Sequence, residues 1–219
     1  MNSITRNDIE VCKLENFVYV RNFKCASTFF YWNFVKQNGW QEISWHDIDW
    51  GNNHVFGHIL DPVERRHKSV AEKIHMHGMS QLFLENKNLQ ECLAHLCLFD
   101  THTESYDQRY GQQCNQIDWI PLNRSHDEVI ALTEKLLGRS YAWNMSWVHW
   151  GDNSKISNRP GDNLKKQVEF CLKSQWVSIA HPEWLQLYMS KDVELYNKVV
   201  EKFNDQAKTW SNTSWLFDH

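Results

Sequence analysis

A lysine and two hydroxyl side chains lie where a short apolar strand, Phe17–Val20, is expected to give way to a helix. The segment consists of Lys24, Cys25, Ala26, Ser27 and Thr28. The first turn of a helix has unpaired backbone N–H groups and the positive end of the helix dipole, which together bind phosphate-like anions. The two small side chains let an anion approach the backbone, and the lysine adds positive charge. The segment therefore predicts an anion site.

The same residues also allow a simpler interpretation. The segment lacks the GxxxxGK[ST] spacing of a nucleotide-binding P-loop, and its lysine precedes the small residues instead of following the glycines. In that case Ser27 only caps the helix that we expect over residues 27–38, with Gly39 as its terminator, and Lys24 is solvated. The spacing of this loop alone leaves both interpretations open.

A second junction between a strand and a helix follows. The sequence "HVFGHIL", residues 54–60, is typical of a buried strand, and "DPVE" after it is typical of a helix start, with Asp61 as N-cap and Pro62 in the first turn. We expect this helix to end near Ile74. Three polar side chains at positions i, i+3 and i+4 share one of its faces, namely Arg65, Lys68 and Ser69. This face either contributes to an anion site or is solvated.

In this order and context, "FKCAST" after the first strand and "HILDPVERRHKS" after the second resemble the carbohydrate sulfotransferase family. The likeness continues more weakly through "DTHTESYDQ", "IDWIPL" and "SKDVELYNKVVEKF". It implies a P-loop NTPase-like sulfotransferase fold and the cofactor 3′-phosphoadenosine 5′-phosphosulfate (PAPS), with 3′,5′-ADP as the product. It also implies that Lys24 contacts the sulfate and the bridging oxygen. The N–H groups of residues 25–28 and the Ser27 and Thr28 hydroxyls would hold the 5′-phosphate.

The second motif departs from the pattern of that family. Leu60 stands where members carry an arginine that takes part in holding the 3′-phosphate, and Lys68 stands at the usual serine position, followed by Ser69. Arg65 falls on the arginine after the Asp-Pro pair. The resemblance therefore implies Arg65, Lys68 and Ser69 as cofactor contacts. Lys68 would supply the charge that Leu60 lacks, without the forked geometry of a guanidinium.

The segment "ISWHDIDWGNN" between the two motifs resembles the "LHADW" segment of heparan sulfate 6-O-sulfotransferases. The resemblance assigns His46 as the catalytic base in contact with the acceptor, although one extra residue separates this histidine from the Asp-Trp pair. Histidine suits the role because it can accept a hydroxyl proton at neutral pH. Asp47 and Asp49 are carboxylate alternatives for the base.

Two later segments add further expectations. "DTHTESYDQ" resembles the acceptor-side segment of some family members, which makes His102 and Gln108 expected substrate contacts. "DNSKIS" lies where related enzymes fold a late loop over the cofactor, which nominates Asn153, Ser154 and Lys155. Ordinary turn chemistry explains the asparagine and serine equally well.

Helical and strand patterns alternate along the chain. This favours an α/β architecture with a central, mainly parallel sheet flanked by helices and a helix-rich C-terminal part. We predict a helix at residues 89–99, a polar loop over 100–116, a strand at 117–122, a helix with Ser125 and Glu128 as capping box and Gly138 as terminator, and a loop over 149–163. The 219 residues contain no repeat or linker, so we predict one domain over residues 1–219.

Composition narrows the class of protein. The formal net charge of −4 argues against nucleic-acid binding. The polar N-terminus lacks the apolar core of a signal peptide and no membrane-length apolar stretch is present, so we predict a soluble, cytoplasmic protein. The six scattered cysteines indicate reduced thiols. No metal is expected, because nothing at ligand spacing completes a site around His75 and His77.

The resemblance and the residues together predict a PAPS-dependent sulfotransferase that moves a sulfuryl group to a hydroxyl by in-line displacement, with a histidine base. A carbohydrate or glycolipid is the expected acceptor. One alternative is a P-loop kinase or NTPase, which the missing GK[ST] disfavours. Another is a nucleotide-binding relative without turnover, an interpretation that Leu60 keeps open.

Overall fold

A five-stranded sheet lies at the centre of the protein, in the strand order β3-β1-β2-β4-β5. The computed structural model describes residues 9–86, 104–143, 162–174 and 183–213. The strands are β1 (Val11–Leu14), β2 (Phe17–Val20), β3 (Gln41–Ile43), β4 (His54–Ile59) and β5 (Asp118–Pro121). The strands predicted at residues 17–20, 54–60 and 117–122 are therefore confirmed as β2, β4 and β5.

The sheet is mixed, not mainly parallel as expected. β2, β4 and β5 run parallel to one another, whereas β1 is antiparallel to both β2 and β3. The turn from β1 to β2 contains Glu15 with φ 56. Nothing in the polar N-terminal sequence marked β1 as a strand, because its short "VCKL" run gains its partners only from the neighbouring strands. The α/β architecture itself is confirmed.

Helices flank this sheet. They are α1 (Ser27–Phe30), α2 (Pro62–Met76), α3 (Ser80–Glu85), α4 (Tyr106–Tyr110), α5 (His126–Leu137), α6 (Asp162–Ser174) and α7 (Glu183–Thr213). α1 continues as a π-helical turn, Tyr31–Val35, and a 3₁₀ turn, Lys36–Asn38. Across the described residues, no helix has both the length and the apolar character needed to cross a membrane.

Residues that alternate along β2 bury two separate apolar layers, as the period of two of a strand requires. Val18 and Val20 pack in one layer with Tyr106 of α4 and Val199 of α7. Tyr19 packs in the opposite layer, which contains Phe30, Phe34, Val129 and Leu137 of the α1 and α5 segments. The sheet is therefore covered on both faces. A third cluster joins α2, α3 and α6 through Val70, Ile74, Phe83 and Leu172.

The helix boundaries follow local capping chemistry that the sequence displays. The Asp61 side chain accepts a hydrogen bond from the N–H of Glu64 at 2.9 Å, which starts α2. Ser125 and Glu128 form the expected capping box of α5. Gly39 and Gly138 end their helices in the left-handed conformation, with φ 72 and 70.

The prediction of a polar loop over residues 100–116 is wrong for its second half. Ser105 caps α4 by accepting a hydrogen bond from the N–H of Gln108 at 3.1 Å, and a 3₁₀ segment, Gly111–Gln116, follows. Tyr106 and Tyr110 lie one helical turn apart and are fully buried. Polar residues between these tyrosines concealed the apolar face in the sequence. The helix expected at 89–99 and residues 149–161 of the expected late loop lie outside the described residues.

The strand registers place four connections at one edge of the sheet. Ile43 pairs with Val11, and Val11 pairs with Val20, so β3 ends level with the end of β2. β4 and β5 run parallel to β2 and end at the same edge. The carboxyl ends of strands in open α/β sheets are where ligands bind. Functional residues that follow these strands are therefore brought to one side of the molecule.

Candidate functional site

The loop between β2 and α1 has a strained backbone. Lys24 and Ala26 adopt the left-handed conformation, with φ 61 and 54, although neither is glycine. The left-handed region costs an ordinary L-residue about 1–2 kcal/mol. Such residues persist only where surrounding contacts hold them, and they cluster at functional sites. The fold therefore imposes on this loop a shape that its own residues do not favour.

Asn22 is the central contact that imposes this shape. Its side-chain amide donates to the backbone oxygen of His58 at the end of β4, at 3.1 Å, and its backbone oxygen accepts from the N–H of Cys25 at 3.1 Å. The Tyr110 hydroxyl donates to Asn22 Oδ1 at 3.2 Å. Asn22 is 1% exposed, so these bonds are shielded from water. These hydrogen bonds connect the loop to both β4 and α4.

Arg65 braces the loop from the side of α2. Its Nε donates to the backbone oxygen of Phe23 at 3.3 Å, and Nη1 donates to the backbone oxygen of Glu104 at 2.9 Å. The guanidinium lies over the ring of Tyr106, 4.6 Å from its centre. The Tyr106 hydroxyl in turn donates to the Leu60 oxygen at 3.1 Å. Arg65 is 3% exposed, so it acts here as an interior brace, with Nη2 buried and without a hydrogen-bond partner among the described residues.

The start of α1 offers donors. The first N–H groups of an α-helix have no acceptor within the helix, and in α1 no side chain caps them, whereas the N–H of Phe30 already donates to the Ala26 oxygen at 3.1 Å. The left-handed residue followed by helical residues turns successive N–H groups toward one concave side. Neither Ser27 nor Thr28 caps the helix with its side chain, because Ala26 is the N-cap and no side chain bonds there. The prediction that Ser27 merely caps the helix is therefore wrong.

Lys24 forms an ion pair with Glu72 of α2. Its side chain is 17% exposed, so the prediction of a solvated lysine is also wrong. Burial lowers the pKa of Lys24, and the charge of Glu72 opposes that shift. The same Glu72 oxygen accepts a hydrogen bond from Lys165 of α6 at 2.7 Å. The loop therefore carries a partly buried ammonium group held by a carboxylate.

The other predicted residues of α2 lie in different surroundings. Ser69 is buried and donates its hydroxyl to the Arg65 backbone oxygen at 2.8 Å. Lys68 is partly exposed and pairs with Glu64 at 2.7 Å, one helical turn earlier. Leu60 is buried within the apolar layer that contains Tyr19. Of the three predicted cofactor contacts in α2, Arg65 and Ser69 are buried, and only Lys68 is partly exposed to solvent.

His46 lies at the same edge of the sheet as the loop. It belongs to a 3₁₀ turn, Trp45–Asp47, that directly follows β3, and its side chain is exposed. β3 is two strands from β2 in the sheet, a separation of about 10 Å. Trp45 packs on Tyr110 with ring centres 5.8 Å apart, and Tyr110 bonds to Asn22. One buried network therefore anchors both the loop and the histidine segment.

The two carboxylates beside His46 differ in what they bind. Asp49 accepts hydrogen bonds from the Asn52 side chain at 2.7 Å and from the N–H of Gly51 at 3.1 Å, so it closes a turn. These bonds, that of Asn52 first, lower the pKa of Asp49 and make it a weaker base. Asp47 is exposed in the 3₁₀ turn.

Gln108 lies in α4 with an exposed side chain, on the helix that supplies the two buried tyrosines. The other loop residues predicted to contact substrate or cofactor, His102, Asn153, Ser154 and Lys155, lie outside the described residues. The structure therefore brings together the loop, α2, α4 and the His46 segment.

Several residues of the site were not predicted individually from the sequence, although Tyr106 and Asp192 lie in segments that carry the weaker resemblance. These are Asn22, Glu72, Tyr106, Tyr110, Lys165 and Asp192. Asp192 belongs to the "DVELY" run, and its carboxylate accepts a hydrogen bond from the N–H of Tyr106 at 2.9 Å. Burial raises the pKa of Asp192 to about 6, although the nearby Arg65 charge opposes the shift. α7 is thus joined to the start of α4 through a buried carboxyl.

The strain at Ala26 can be tested by replacement with glycine, which adopts φ 54 without steric cost. Ala26→Gly should raise the free energy of unfolding by about 0.5 kcal/mol, because relief of the left-handed strain exceeds the entropy cost of glycine. Ala131→Gly is the matched control, since Ala131 is exposed inside α5 and should lose about 1 kcal/mol. Urea unfolding measures both. A loss of stability in both variants would contradict the prediction that Ala26 is strained.

Asp192→Asn should remove a pH dependence of folding. The pKa of Asp192 is raised from 3.8 to about 6, so between these values the folded protein holds a proton that the unfolded chain has lost. Asp192 therefore makes the free energy of unfolding fall as pH rises from about 4 to 6, by about 3 kcal/mol in total. Asparagine does not titrate and keeps an oxygen for the Tyr106 N–H.

Urea unfolding of the wild type and of Asp192→Asn at several pH values across this window measures the effect. Other groups cancel when one profile is subtracted from the other, including His58, whose pKa burial lowers to about 3. Parallel profiles would contradict the assignment of a titrating Asp192.

Comparison with known proteins supplies no family for the chain. No family model, no curated protein and no solved structure matches it. The choice of a function therefore rests on the residues and contacts described above.

Proposed function

We propose that the protein is a PAPS-dependent sulfotransferase whose loop Lys24–Thr28 holds the phosphosulfate end of the cofactor. The observation that carries this proposal is the strained loop itself. Buried contacts hold Lys24 and Ala26 in left-handed conformations, and no side chain caps the first N–H groups of α1. Strain of this kind clusters at functional sites, and successive N–H groups in such a turn form a concavity that binds anions.

The residues present suit the phosphosulfate end of PAPS. Three N–H donors, the Ser27 and Thr28 side chains and the Lys24 ammonium lie along one short segment, and Ala26 leaves the backbone open to close approach. When bound, PAPS supplies the sulfuryl group and a phosphate leaving group. At the 3′-phosphate, Lys68 is the expected contact, because Leu60 is apolar and buried and Arg65 bonds to two backbone oxygens.

Lys24 has the central electrostatic role in this proposal. Negative charge grows on the leaving phosphate oxygens during sulfuryl transfer, and preorganised donors lower the barrier by stabilising that charge. The N–H groups of α1 would do so with little reorganisation, because buried contacts already fix the loop, whereas the Lys24 ammonium would turn from Glu72 toward the leaving group. Partial burial of Lys24 strengthens its field compared with a lysine in water.

His46 is the proposed base. Its exposed side chain follows β3 at the same edge of the sheet as the loop, and the acceptor hydroxyl is proposed to bind between the two. The imidazole would take the hydroxyl proton as the oxygen attacks. Asp49 is less suitable, because turn hydrogen bonds lower its pKa. Asp47 remains the alternative carboxylate. A carbohydrate hydroxyl is the proposed acceptor, by resemblance to the family and not by any contact.

The proposal predicts that 3′,5′-ADP binds while 5′-ADP and ATP do not. A ligand at 100 times its Kd adds about 2.7 kcal/mol to the free energy of unfolding, which corresponds to a rise in Tm of about 5–10 °C for a chain of this size. Thermal unfolding with each nucleotide measures this. Lys24→Met should abolish sulfate transfer from PAPS, whereas Lys198→Met, at an exposed pair on α7, should not change it.

The outcomes separate the classes of function. A shift in Tm with ATP alone would place the chain among P-loop kinases or NTPases and overturn the proposal. A shift with 3′,5′-ADP but no transfer to any of a panel of sugar and glycolipid hydroxyls would favour a binding protein without turnover. Normal transfer by Lys24→Met would remove the loop from the chemistry.

His46→Ala should lower kcat about 10²–10⁴-fold while the affinity for 3′,5′-ADP stays the same, because a base contributes to the reaction step and not to cofactor binding. His54→Ala is the control, since His54 is exposed at the opposite end of β4 and should leave both quantities unchanged. Steady-state kinetics and calorimetry measure the two quantities. Equal losses of affinity and rate would make His46 structural.

A further inference from the structure

One carboxylate oxygen in the protein holds two lysines. Glu72 Oε2 accepts from Lys24 Nζ of the loop and from Lys165 Nζ of α6, the latter at 2.7 Å. Glu72 lies in α2, which packs closely along α6. Because these two helices pack together, Lys165 lies next to Lys24, although the two lysines are far apart in the sequence. Neither motif in the sequence includes Lys165.

The carboxylate of Glu72 is shared by two ammonium groups. Glu169 of α6, which pairs with Lys173, adds a second negative charge that also acts on Lys24. Burial alone would raise the pKa of Glu72, but the two lysines overcome that effect and lower it to about 2. The side chains of Lys24, Glu72 and Lys165 are 17, 28 and 32% exposed, so water screens their interactions only in part.

A carboxylate and a phosphate or sulfate oxygen bind ammonium groups in the same way, through charge-assisted hydrogen bonds. Lysine is a compact charge on a flexible stem and can turn from one oxyanion to another without a change in the backbone. Glu72 therefore holds the ammonium group of Lys165 beside that of the loop residue Lys24. An anion with at least two charges beside them gains from both lysines, which otherwise share a single Glu72 oxygen.

We propose that Lys165 is a second cationic contact for the anion held by the loop, and that Glu72 keeps Lys24 and Lys165 in position until the anion binds. This inference rests on the proposed function and adds a residue to its site. It assigns Lys165 to the 5′-end of the nucleotide, where phosphate and sulfate lie, and not to the 3′-phosphate. The ordinary alternative is that Lys165 and Glu72 only join α6 to α2.

Lys165→Gln separates these two roles. Glutamine keeps a hydrogen-bond donor for Glu72 and most of the aliphatic stem, but it lacks the charge. Calorimetry should show about tenfold weaker binding of 3′,5′-ADP and unchanged binding of adenosine 3′-monophosphate, which has no 5′-phosphate. Lys165→Arg restores the charge and should bind 3′,5′-ADP within about threefold of the wild type. Lys166→Gln is the matched control, because Lys166 is the exposed neighbour on α6 and should behave as the wild type.

Each other result has a definite meaning. Unchanged binding of 3′,5′-ADP by Lys165→Gln, or an equal loss for both nucleotides, would overturn the inference and leave Lys165 as a link between helices. If the wild type binds inorganic pyrophosphate in a Lys165-dependent manner but binds no adenosine nucleotide, the proposed function fails while the second cationic contact stands. If the wild type binds neither, both fail.

Discussion

The buried hydrogen bonds of Asn22 are the constraint on which the site depends. This one side chain connects the end of β4 and the hydroxyl of Tyr110, while its backbone oxygen holds the N–H of Cys25. A buried amide left without such partners costs about 1–3 kcal/mol. Loss of one of these bonds would leave a buried polar group unpaired. The energy of the network can therefore offset the cost of the left-handed conformations of Lys24 and Ala26.

The same network explains how distant parts of the chain meet at one edge of the sheet. Tyr106 and Tyr110 of α4 carry the hydroxyls that reach the loop and the end of β4, and Asp192 of α7 fixes the start of α4. Trp45, packed on Tyr110, brings the histidine segment to the same support. A change in any one of these contacts would alter the geometry of the others, because they share buried polar groups.

Charge is organised around this rigid support in a different way. The interior brace Arg65 is directed at backbone oxygens and is fixed, whereas the ammonium groups of Lys24 and Lys165 end on a half-buried carboxylate and can turn. The fixed part shapes the loop and the mobile part supplies its positive charge. The proposed function would use this division, since preorganised donors stabilise an anion most and lysines that can leave a carboxylate remain available to it.

The sequence by itself determined the elements whose signals are local. The junction of β2 with α1, the start of α2 at Asp61 and the capping box of α5 depend on neighbouring residues, so they could be predicted. It did not reveal β1, α4 or the roles of Asn22 and Lys165. Only the tertiary structure decided that Arg65 points inward and that Glu72 joins two lysines. These outcomes depend on contacts between residues far apart in the chain, and the energy of such contacts exists only after the sheet and its helices have packed.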